Sequence, residues 1–521
     1  MTMQISAVLR RAQQVSPNSI ATIHLDRQQT WTQFLNRVQK LAGAFQALGV
    51  QPGDRIALLS LNSDRYIEYF YATVWAGAAM MPMNIRWAPP ECAYALNDAG
   101  AEILIVDDAF AKAVPAIQAE VPGLKTIIFA GDGETPEGML NYEDILAAAE
   151  PVEDAGRGDD DLAGIFYTGG TTGFPKGVML SHKNFYVGGI SNAQELLLLD
   201  GAVYMHAAPM FHIADLLWFV ATTYVSGTHV SIPMFTPEAT LEAVEKHRPS
   251  HLLLVPVMIL MVLQSEKLAE TDVSSLELIA YGASPITQAV LTQAFEKFPN
   301  ARFLQAFGQT ELAPVATILG TQYHTEEGLK SGKLRSCGRA TRVCEIRIVD
   351  ENDEDVQRGD VGHIIVRGPI TMLGYWNKPE VTASTLKDGW VYTGDAGYMD
   401  EDGFIFLMDR LKDMIVSGGE NVYSTEVENA LSQHPAVATS AVIGIPHEKW
   451  GESVHAIVIF KPGMSASEQE LKDHCHTLIA GYKCPQSVSF REDPFPLSGA
   501  NKVLKTELRK EFWEGQDRAI N

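Results

Sequence analysis

Short apolar runs alternating with helical stretches from residue 162 onward constrain the fold of this chain more than any other feature. LAGIFYT (162–168) leads into a glycine-rich loop and a helix after Ser181, and LLLVP (252–256), LELIAYG (276–282) and RFLQAFG (302–308) follow with helices between them. Parallel strands cannot be joined by a tight turn, and a helical crossover is the usual connection. The rhythm therefore predicts an α/β fold with parallel-rich sheets and helices. One helix start is well signalled. Thr236 offers a capping oxygen and Pro237 sits at the first helical position, where its missing N–H breaks no hydrogen bond, which predicts helix through TPEATLEAVEKH.

Near residue 390 the texture changes. YMDEDGFIFLMDR (398–410) consists of two strand-like runs around Asp400-Glu401-Asp402-Gly403, a hairpin pattern that ends in the charged connector Asp409–Asp413. A chain of 521 residues exceeds what one core serves. The division is expected at that connector: a large amino-terminal domain over 1–409, a hinge over 410–413 and a small mobile α+β domain over 414–521. In the small domain, Thr425/Glu428 and Ser467/Glu470 are spaced as capping boxes, and ATSAVIG (438–444) and SVHAIVIF (453–460) read as strands.

Composition excludes several roles. Against 64 acidic side chains stand 40 basic ones, a net charge of -24 that disfavours extended contact with nucleic-acid phosphates or anionic lipid. The longest apolar stretch, Leu252–Leu263, is short and broken by Pro256, and MTMQISAVLRRAQQ lacks the apolar core and cleavage site of a secretory leader. Neither a membrane span nor secretion is expected. Cys92, Cys337, Cys344, Cys475 and Cys484 are scattered, with no CxxC pair to seat zinc, and read as reduced thiols of a cytoplasmic protein.

Chemistry concentrates in Tyr167-Thr-Gly-Gly-Thr-Thr-Gly-Phe-Pro-Lys176-Gly177. Glycines let several backbone N–H groups converge on an anion, Thr168, Thr171 and Thr172 add hydroxyls, and Lys176 adds positive charge, a set suited to polyphosphate. The loop differs from the two commoner nucleotide fingerprints. Phe174 stands where GxxxxGK[ST] needs its second glycine, Gly177 follows the lysine, and the GxG at Gly131–Gly133 runs towards a proline.

Further motifs follow in order: Pro209-Met-Phe-His212, Tyr281-Gly-Ala-Ser-Pro285, Phe307-Gly-Gln-Thr-Glu311, Tyr392-Thr-Gly-Asp395, Asp409-Arg-Leu-Lys-Asp413, Ser417-Gly-Gly-Glu-Asn421 and Lys502. With the glycine-rich loop, the series resembles the adenylate-forming superfamily of acyl- and aryl-CoA synthetases, firefly luciferases and peptide-synthetase adenylation domains, over nearly the whole chain. The segment DRLKDMIVSGGENVYSTEVE (409–428) is most similar to fatty acyl- and aryl-CoA ligases.

The resemblance implies roles residue by residue. Thr168, Gly169, Gly170, Thr171, Thr172, Gly173 and Lys176 would hold ATP phosphates. Gly282, Ala283, Ser284, Phe307, Gly308 and Gln309 would complete the ATP site, with Phe307 stacking on adenine where the family commonly has tyrosine. Thr310 would place the α-phosphate, and Glu311 with Thr168 would hold Mg2+, a hard cation suited to oxygen ligands. Asp395 would accept both ribose hydroxyls, with Arg410 donating beside it. Lys502 would bridge the acid's carboxylate and the α-phosphate, offsetting negative charge as two anions meet. Asn501 precedes it where the family usually has glycine, and asparagine also tolerates left-handed backbone. Lys412 would be the hinge between two orientations of the small domain, and Ser417, Gly418, Gly419, Glu420 and Trp450 would line the CoA path. Phe211, His212, Ile213, Leu216, Leu217, Val255, Tyr281 and Phe307 propose an apolar acyl pocket, with His212 also a candidate to assist the thiol.

These implications amount to an AMP-forming acid–thiol ligase that uses ATP, CoA, Mg2+ and a small carboxylic acid. A medium- or long-chain fatty acid is the preferred substrate and a benzoate- or cinnamate-type acid the alternative; a homodimer is left open. Three other readings stay open: loading of a free carrier protein, a luciferase-like oxygenase, and a regulator that binds nucleotide or acyl groups without turnover. ATP binding without acid-dependent pyrophosphate exchange would mark the last.

Overall fold

The computed structural model describes residues 2–168, 175–284, 286, 288–410, 414–417, 420–447, 450–497 and 503–513, the side chains of 409, 410, 416, 420, 421 and 451 excepted. Contacts divide the chain into two compact units. Met1–Pro285, Val290–Ile346 and Val366–Val391 form the larger; Ile286–Ala289, Arg347–Ile365 and Tyr392–Asn521 form the smaller. The fold is mixed α/β, with a large amino-terminal and a smaller carboxy-terminal domain.

Two mixed sheets organise the large unit. In the nine-stranded one, Arg302–Phe307, Leu278–Gly282, His251–Leu253, Val203–His206, Thr228–Ser231 and Ile20–His24 lie side by side and parallel. Antiparallel strands finish both edges, Arg27–Thr30 at one and Thr317–Leu319 with Arg339–Ala340 at the other. The predicted strands therefore form and are parallel. The apolar stretch from Leu252 splits into the strand His251–Leu253 and the helix Pro256–Gln264. Thr236 caps Pro237–His247 as expected, its hydroxyl accepting the Ala239 N–H at 3.0 Å.

The second sheet has eight strands and is parallel from Leu162–Thr168 through Ala79–Pro82, Arg55–Leu59, Ile103–Val106 and Thr126–Phe129 to Leu140–Asn141. Its other end is antiparallel, Leu162–Thr168 pairing with Lys176–Ser181 and that strand with Gly374–Tyr375. Ile103–Val106 is buried at every position, as expected of a parallel strand covered on both faces.

A polar chain runs through the core beside the nine-stranded sheet. Asp215 accepts from the Tyr204 hydroxyl at 3.0 Å and meets His206 Nδ1 at 2.7 Å; His206 Nε2 meets His229 Nδ1 at 3.0 Å, and His229 Nε2 meets Thr223 Oγ1 at 3.0 Å. All five side chains are fully buried. Each is partnered, as buried polar groups must be to avoid a desolvation penalty.

In the small unit, Glu420–Val422, Ile415–Ser417, Gly451–Phe460 and Val437–His447 form a sheet that Ser487–Phe490 joins in parallel, and its apolar core includes Val427, Leu431, Val442, Val454 and Leu471. The expected hairpin forms, with Tyr398 opposite Phe406 and Asp395 opposite Arg410. The Ser467/Glu470 capping box forms as well. The Thr425/Glu428 box does not: the helix is Ser424–Ser432, entered from Tyr423 without a side-chain cap. Glu428 is drawn instead to the Val442 N–H and to Lys505 Nζ, each at 2.7 Å. A charge-assisted tertiary contact outweighs the local cap.

All five cysteines are free, and burial pushes the Cys92 and Cys475 thiols up to about 12, which rules them out as nucleophiles at neutral pH. Among the described residues no helix is long and apolar enough to cross a membrane.

Candidate active site

The strands flanking the glycine-rich loop are registered from Leu162 opposite Ser181 to Thr168 opposite Lys176. Gly169, Gly170, Thr171, Thr172 and Gly173 lie outside the described residues, so the structure places the loop by its two ends. Gly177 is required by close approach, since a Cβ there would stand 2.6 Å from Ile165 Cγ2 and 3.1 Å from the Tyr167 ring. Its carbonyl accepts the Trp376 N–H at 2.7 Å. The Tyr167 hydroxyl donates to Asp98 at 2.6 Å and Trp376 Nε1 to the Asp98 carbonyl at 2.9 Å, which ties the hairpin to its neighbours.

Glu311 meets this hairpin through a residue that the sequence reading did not single out. The Tyr375 hydroxyl donates to Glu311 Oε1 at 2.7 Å, while the Lys176 ammonium lies 5.3 Å from the centre of the same ring. Backbone hydrogen bonds reinforce the arrangement, the Met372 N–H reaching the Glu311 carbonyl and the Leu373 N–H the Met179 carbonyl, both at 2.9 Å. Burial beside Glu311 pushes the phenol far above its ordinary range, so it remains a proton donor. No local signal in Gly374-Tyr-Trp-Asn377 announces this; the strand Gly374–Tyr375 acquires its role by pairing with Lys176–Ser181.

Gly282 and Phe307 end the adjacent parallel strands Leu278–Gly282 and Arg302–Phe307, at the carboxyl edge where open α/β sheets bind ligands. A Cβ at Gly282 would meet the Ala306 carbonyl at 2.2 Å, and one at Gly308 the Pro314 carbonyl at 1.8 Å, so both glycines let neighbouring backbone in. Ala283 takes a φ of 69° before Ser284, and Gln309 opens the short turn Thr310–Leu312 that carries Thr310 and Glu311.

Among the residues expected to form the acyl pocket, His212 leads into the helix Ile213–Tyr224 and its ring tilts against Phe211 at 4.1 Å. Phe211, Ile213, Leu216 and Leu217 are buried, Leu217 lying 3.4 Å from where a Cβ of Gly188 would be. Val255 opens the helix Pro256–Gln264. Tyr281 is fully buried and its hydroxyl meets His324 Nε2 at 3.0 Å, while His324 Nδ1 meets the Gly320 carbonyl at 3.0 Å. The carbonyl can only accept, which fixes the tautomer: Nδ1–H donates and Nε2 accepts from the phenol. Burial brings His324 to about 4, keeping it neutral.

In the small unit, Asp395 is buried, its N–H bonded to Thr393 Oγ1 at 3.1 Å. Ser417 pairs with Glu420 and Gly451, and Trp450 stacks on His447 at 4.5 Å. Lys412, Gly418, Gly419, Asn501 and Lys502 lie outside the described residues, as do the side chains of Arg410 and Glu420. An antiparallel bridge between Leu497 and Val503 brackets the segment with Lys502.

A profile of the AMP-binding enzyme family matches residues 9–376, and one of the AMP-binding enzyme C-terminal domain matches residues 426–502. The chain belongs to the AMP-binding enzyme family. It is similar to a feruloyl-CoA synthase from an Amycolatopsis species, 36% identical over 505 residues, which cover 97% of this chain and 98% of the relative. It is also similar to the medium/long-chain-fatty-acid–CoA ligase FadD8 of Mycobacterium tuberculosis, 34% identical over 95% of this chain and 88% of the relative. Among solved structures, the anthranilate CoA ligase AuaEII in complex with anthranoyl-AMP matches with a TM-score of 0.89 at 26% identity, covering 98% of this chain and 97% of that one. This member of the AMP-binding enzyme family is accordingly an AMP-forming acid–CoA ligase, with ATP and CoA as co-substrates, and the resemblance drawn from the motif series holds.

The AMP-binding enzyme chemistry also invites a metal. Among the described residues no three His, Cys, Asp or Glu side chains come together to hold one. Glu311 and Thr168 offer oxygen alone, which fits magnesium, a cation that fills most of its shell with water and phosphate oxygens.

Proposed function

We propose that this ligase converts a medium- or long-chain fatty acid to its CoA thioester through an acyl adenylate. The observation that carries the substrate class is the state of the polar groups beside the presumed acyl residues. The Tyr281 hydroxyl is taken by His324, and Asp215, in the first turn after His212, by Tyr204 and His206. A ring hydroxyl on an aromatic acid would need a buried partner and lose about 1–3 kcal/mol without one, whereas an alkyl chain needs none. An aryl acid is the second reading, favoured by the similarity to a feruloyl-CoA synthase at 36% identity.

In this reading Gly169, Gly170, Thr171, Thr172, Gly173 and Lys176 hold the β- and γ-phosphates, Thr310 orients the α-phosphate, and Phe307, Gly282, Ala283, Ser284, Gly308 and Gln309 receive the adenosine. Asp395 and Arg410 take the ribose. Glu311 and Thr168 would hold magnesium, which when bound would supply charge neutralisation to the phosphates. Lys502 sits between carboxylate and α-phosphate, where electrostatic stabilisation of the meeting anions is the main demand. No general base is required, because the attacking group is already an anion. Lys412 is then the hinge between 1–409 and 414–521, and Ser417, Gly418, Gly419, Glu420 and Trp450 line the pantetheine path. The CoA thiol, with an ordinary pKa of about 8.5, is mostly protonated at neutral pH, and in this reading His212 assists its ionisation. The setting is cytoplasmic.

Measuring AMP release from octanoate through stearate against benzoate, cinnamate and their 4-hydroxy derivatives, with and without CoA, tests the substrate class and the cost of the ring hydroxyl. At least about tenfold higher kcat/KM for the alkyl acids is expected; preference for the aromatic acids would overturn it.

A further inference from the structure

We infer that Tyr375 is a positioning residue that sets both charged partners of the phosphate site and keeps them from neutralising each other. The inference rests on the reading of Glu311 as the magnesium carboxylate and Lys176 as the phosphate cation. One side chain touches both: its hydroxyl donates to Glu311 Oε1 at 2.7 Å and its ring lies under the Lys176 ammonium at 5.3 Å. A phenol donating to a carboxylate makes a charge-assisted hydrogen bond that fixes which way the carboxylate faces, and an ammonium over an aromatic face is held without surrendering its charge.

The spacing matters as much as the contacts. Among the described residues Glu311 and Lys176 form no ion pair; the same tyrosine engages each of them instead, the carboxylate at its hydroxyl and the ammonium at its ring. Opposite charges allowed to meet would form a salt bridge, and both would then be lost to a magnesium–nucleotide ligand. The tyrosine gives the anion a hydroxyl donor and the cation a ring face, so each has a partner other than its opposite charge.

Tyr375 is itself held firmly. Its N–H donates to Thr382 Oγ1 at 2.8 Å, the next N–H, of Trp376, reaches the Gly177 carbonyl at 2.7 Å, and Val178 is its register partner in the hairpin strand. Gly374 makes this approach possible: it takes a φ of 139°, and a Cβ there would fall 2.8 Å from Thr382 Cγ2.

Mn2+ affinity, read by electron paramagnetic resonance with a non-hydrolysable ATP analogue present, and metal-free affinity for the same analogue test the inference without turnover. Tyr375→Phe keeps the ring and loses the donor, so Mn2+ should bind about tenfold more weakly with metal-free affinity unchanged. Tyr375→Leu also removes the ring, and both affinities should fall. Glu311→Gln should lose Mn2+ affinity, and Tyr375→Phe added to it should cost nothing further. Native Mn2+ affinity in Tyr375→Phe, with the loss intact in Glu311→Gln, overturns the inference and leaves the site reading standing. Native affinity in Glu311→Gln overturns that reading and the inference with it. Thermal midpoints accompany each variant, and should Tyr375→Leu fail to fold, the phenylalanine variant and the double mutant decide.

Discussion

Two lysine-bearing loops of this enzyme are closed in different ways. The loop ending at Lys176 springs from strands of the eight-stranded sheet, paired from Thr168–Lys176 back to Leu162–Ser181, with a further strand laid against them. Among the described residues flanking Lys502, Leu497 bridges Val503 and the Leu504 N–H donates to the Pro496 carbonyl at 2.8 Å. Their support comes from the helix Lys505–Trp513, through the Lys505 pairing with Glu428 and a hydrogen bond to Ser424, and through the 3.1 Å bond from Trp513 Nε1 to the Gly444 carbonyl. The described ends of the first loop are strands within a sheet; the described residues beside the second are held by a local bridge and by a helix. In the proposed reading, the group that receives phosphates stands beside a sheet and the group acting at one step of two beside a helix of the smaller unit.

The largest expected effect separates the two lysines by chemistry. Lys502→Ala should lower acid-dependent pyrophosphate exchange by about 10²–10³-fold yet leave thioester formation from supplied acyl adenylate comparatively intact. Equal loss in both half-reactions, in a folded protein, would erase the distinction between the loops.

Acid challenges the large unit next. His182, which follows the hairpin directly, His251 and His324 are held to about 4 by burial, against 6.5 in an unfolded chain. Each is neutral when folded and gains a proton on unfolding below 6.5. The stability they lend is therefore complete above 6.5 and is lost as pH falls towards 4, by about 3 kcal/mol apiece at most. Neither ring nitrogen of His182 has a hydrogen-bond partner among the described residues. His182→Gln should flatten the fall of the melting midpoint between pH 6.5 and 4.5; an unchanged slope would remove His182 from the account.

Gly177→Ala probes the sheet-borne loop, since the added methyl meets Ile165 and the Tyr167 ring. A loss of about 1–3 kcal/mol in denaturant stability is expected, and a neutral result would mean that the frame is looser than its packing. Lys505→Met probes the other root, removing the partner of Glu428. A loss of about 1 kcal/mol is expected, with pyrophosphate exchange reduced several-fold at unchanged KM for ATP. A full loss of exchange would overturn the contrast between the two supports.

The legibility of the chain followed the range of its determinants. LELIAYG and RFLQAFG announced strands because a buried parallel strand writes its environment into consecutive apolar residues, and Thr236-Pro237 announced a helix because capping is local. Motif order disclosed the family. Tyr375 was invisible because its importance arises from strand pairing across distant sequence, and the Thr425/Glu428 box misled because Glu428 answers to Val442 and Lys505 instead. The hydroxyl of Tyr281 likewise revealed its use only through His324.

The buried chain from Asp215 to Thr223 acts as a check on strand alignment. In the parallel register Tyr204 stands opposite His229 and His206 opposite Ser231, which brings both imidazoles to the same face as Asp215. Sliding Val203–His206 by a single residue would turn Tyr204 and His206 to the opposite face of the sheet and leave the carboxylate of Asp215 stranded in an apolar interior. A buried charge deprived of its partner costs about 3–5 kcal/mol, a substantial part of what holds a domain folded. Neighbouring apolar strands could tolerate such a slip on hydrophobicity alone; here misalignment is penalised at the moment the core closes, so the interior proofreads the sheet from which the helix Ile213–Tyr224 departs.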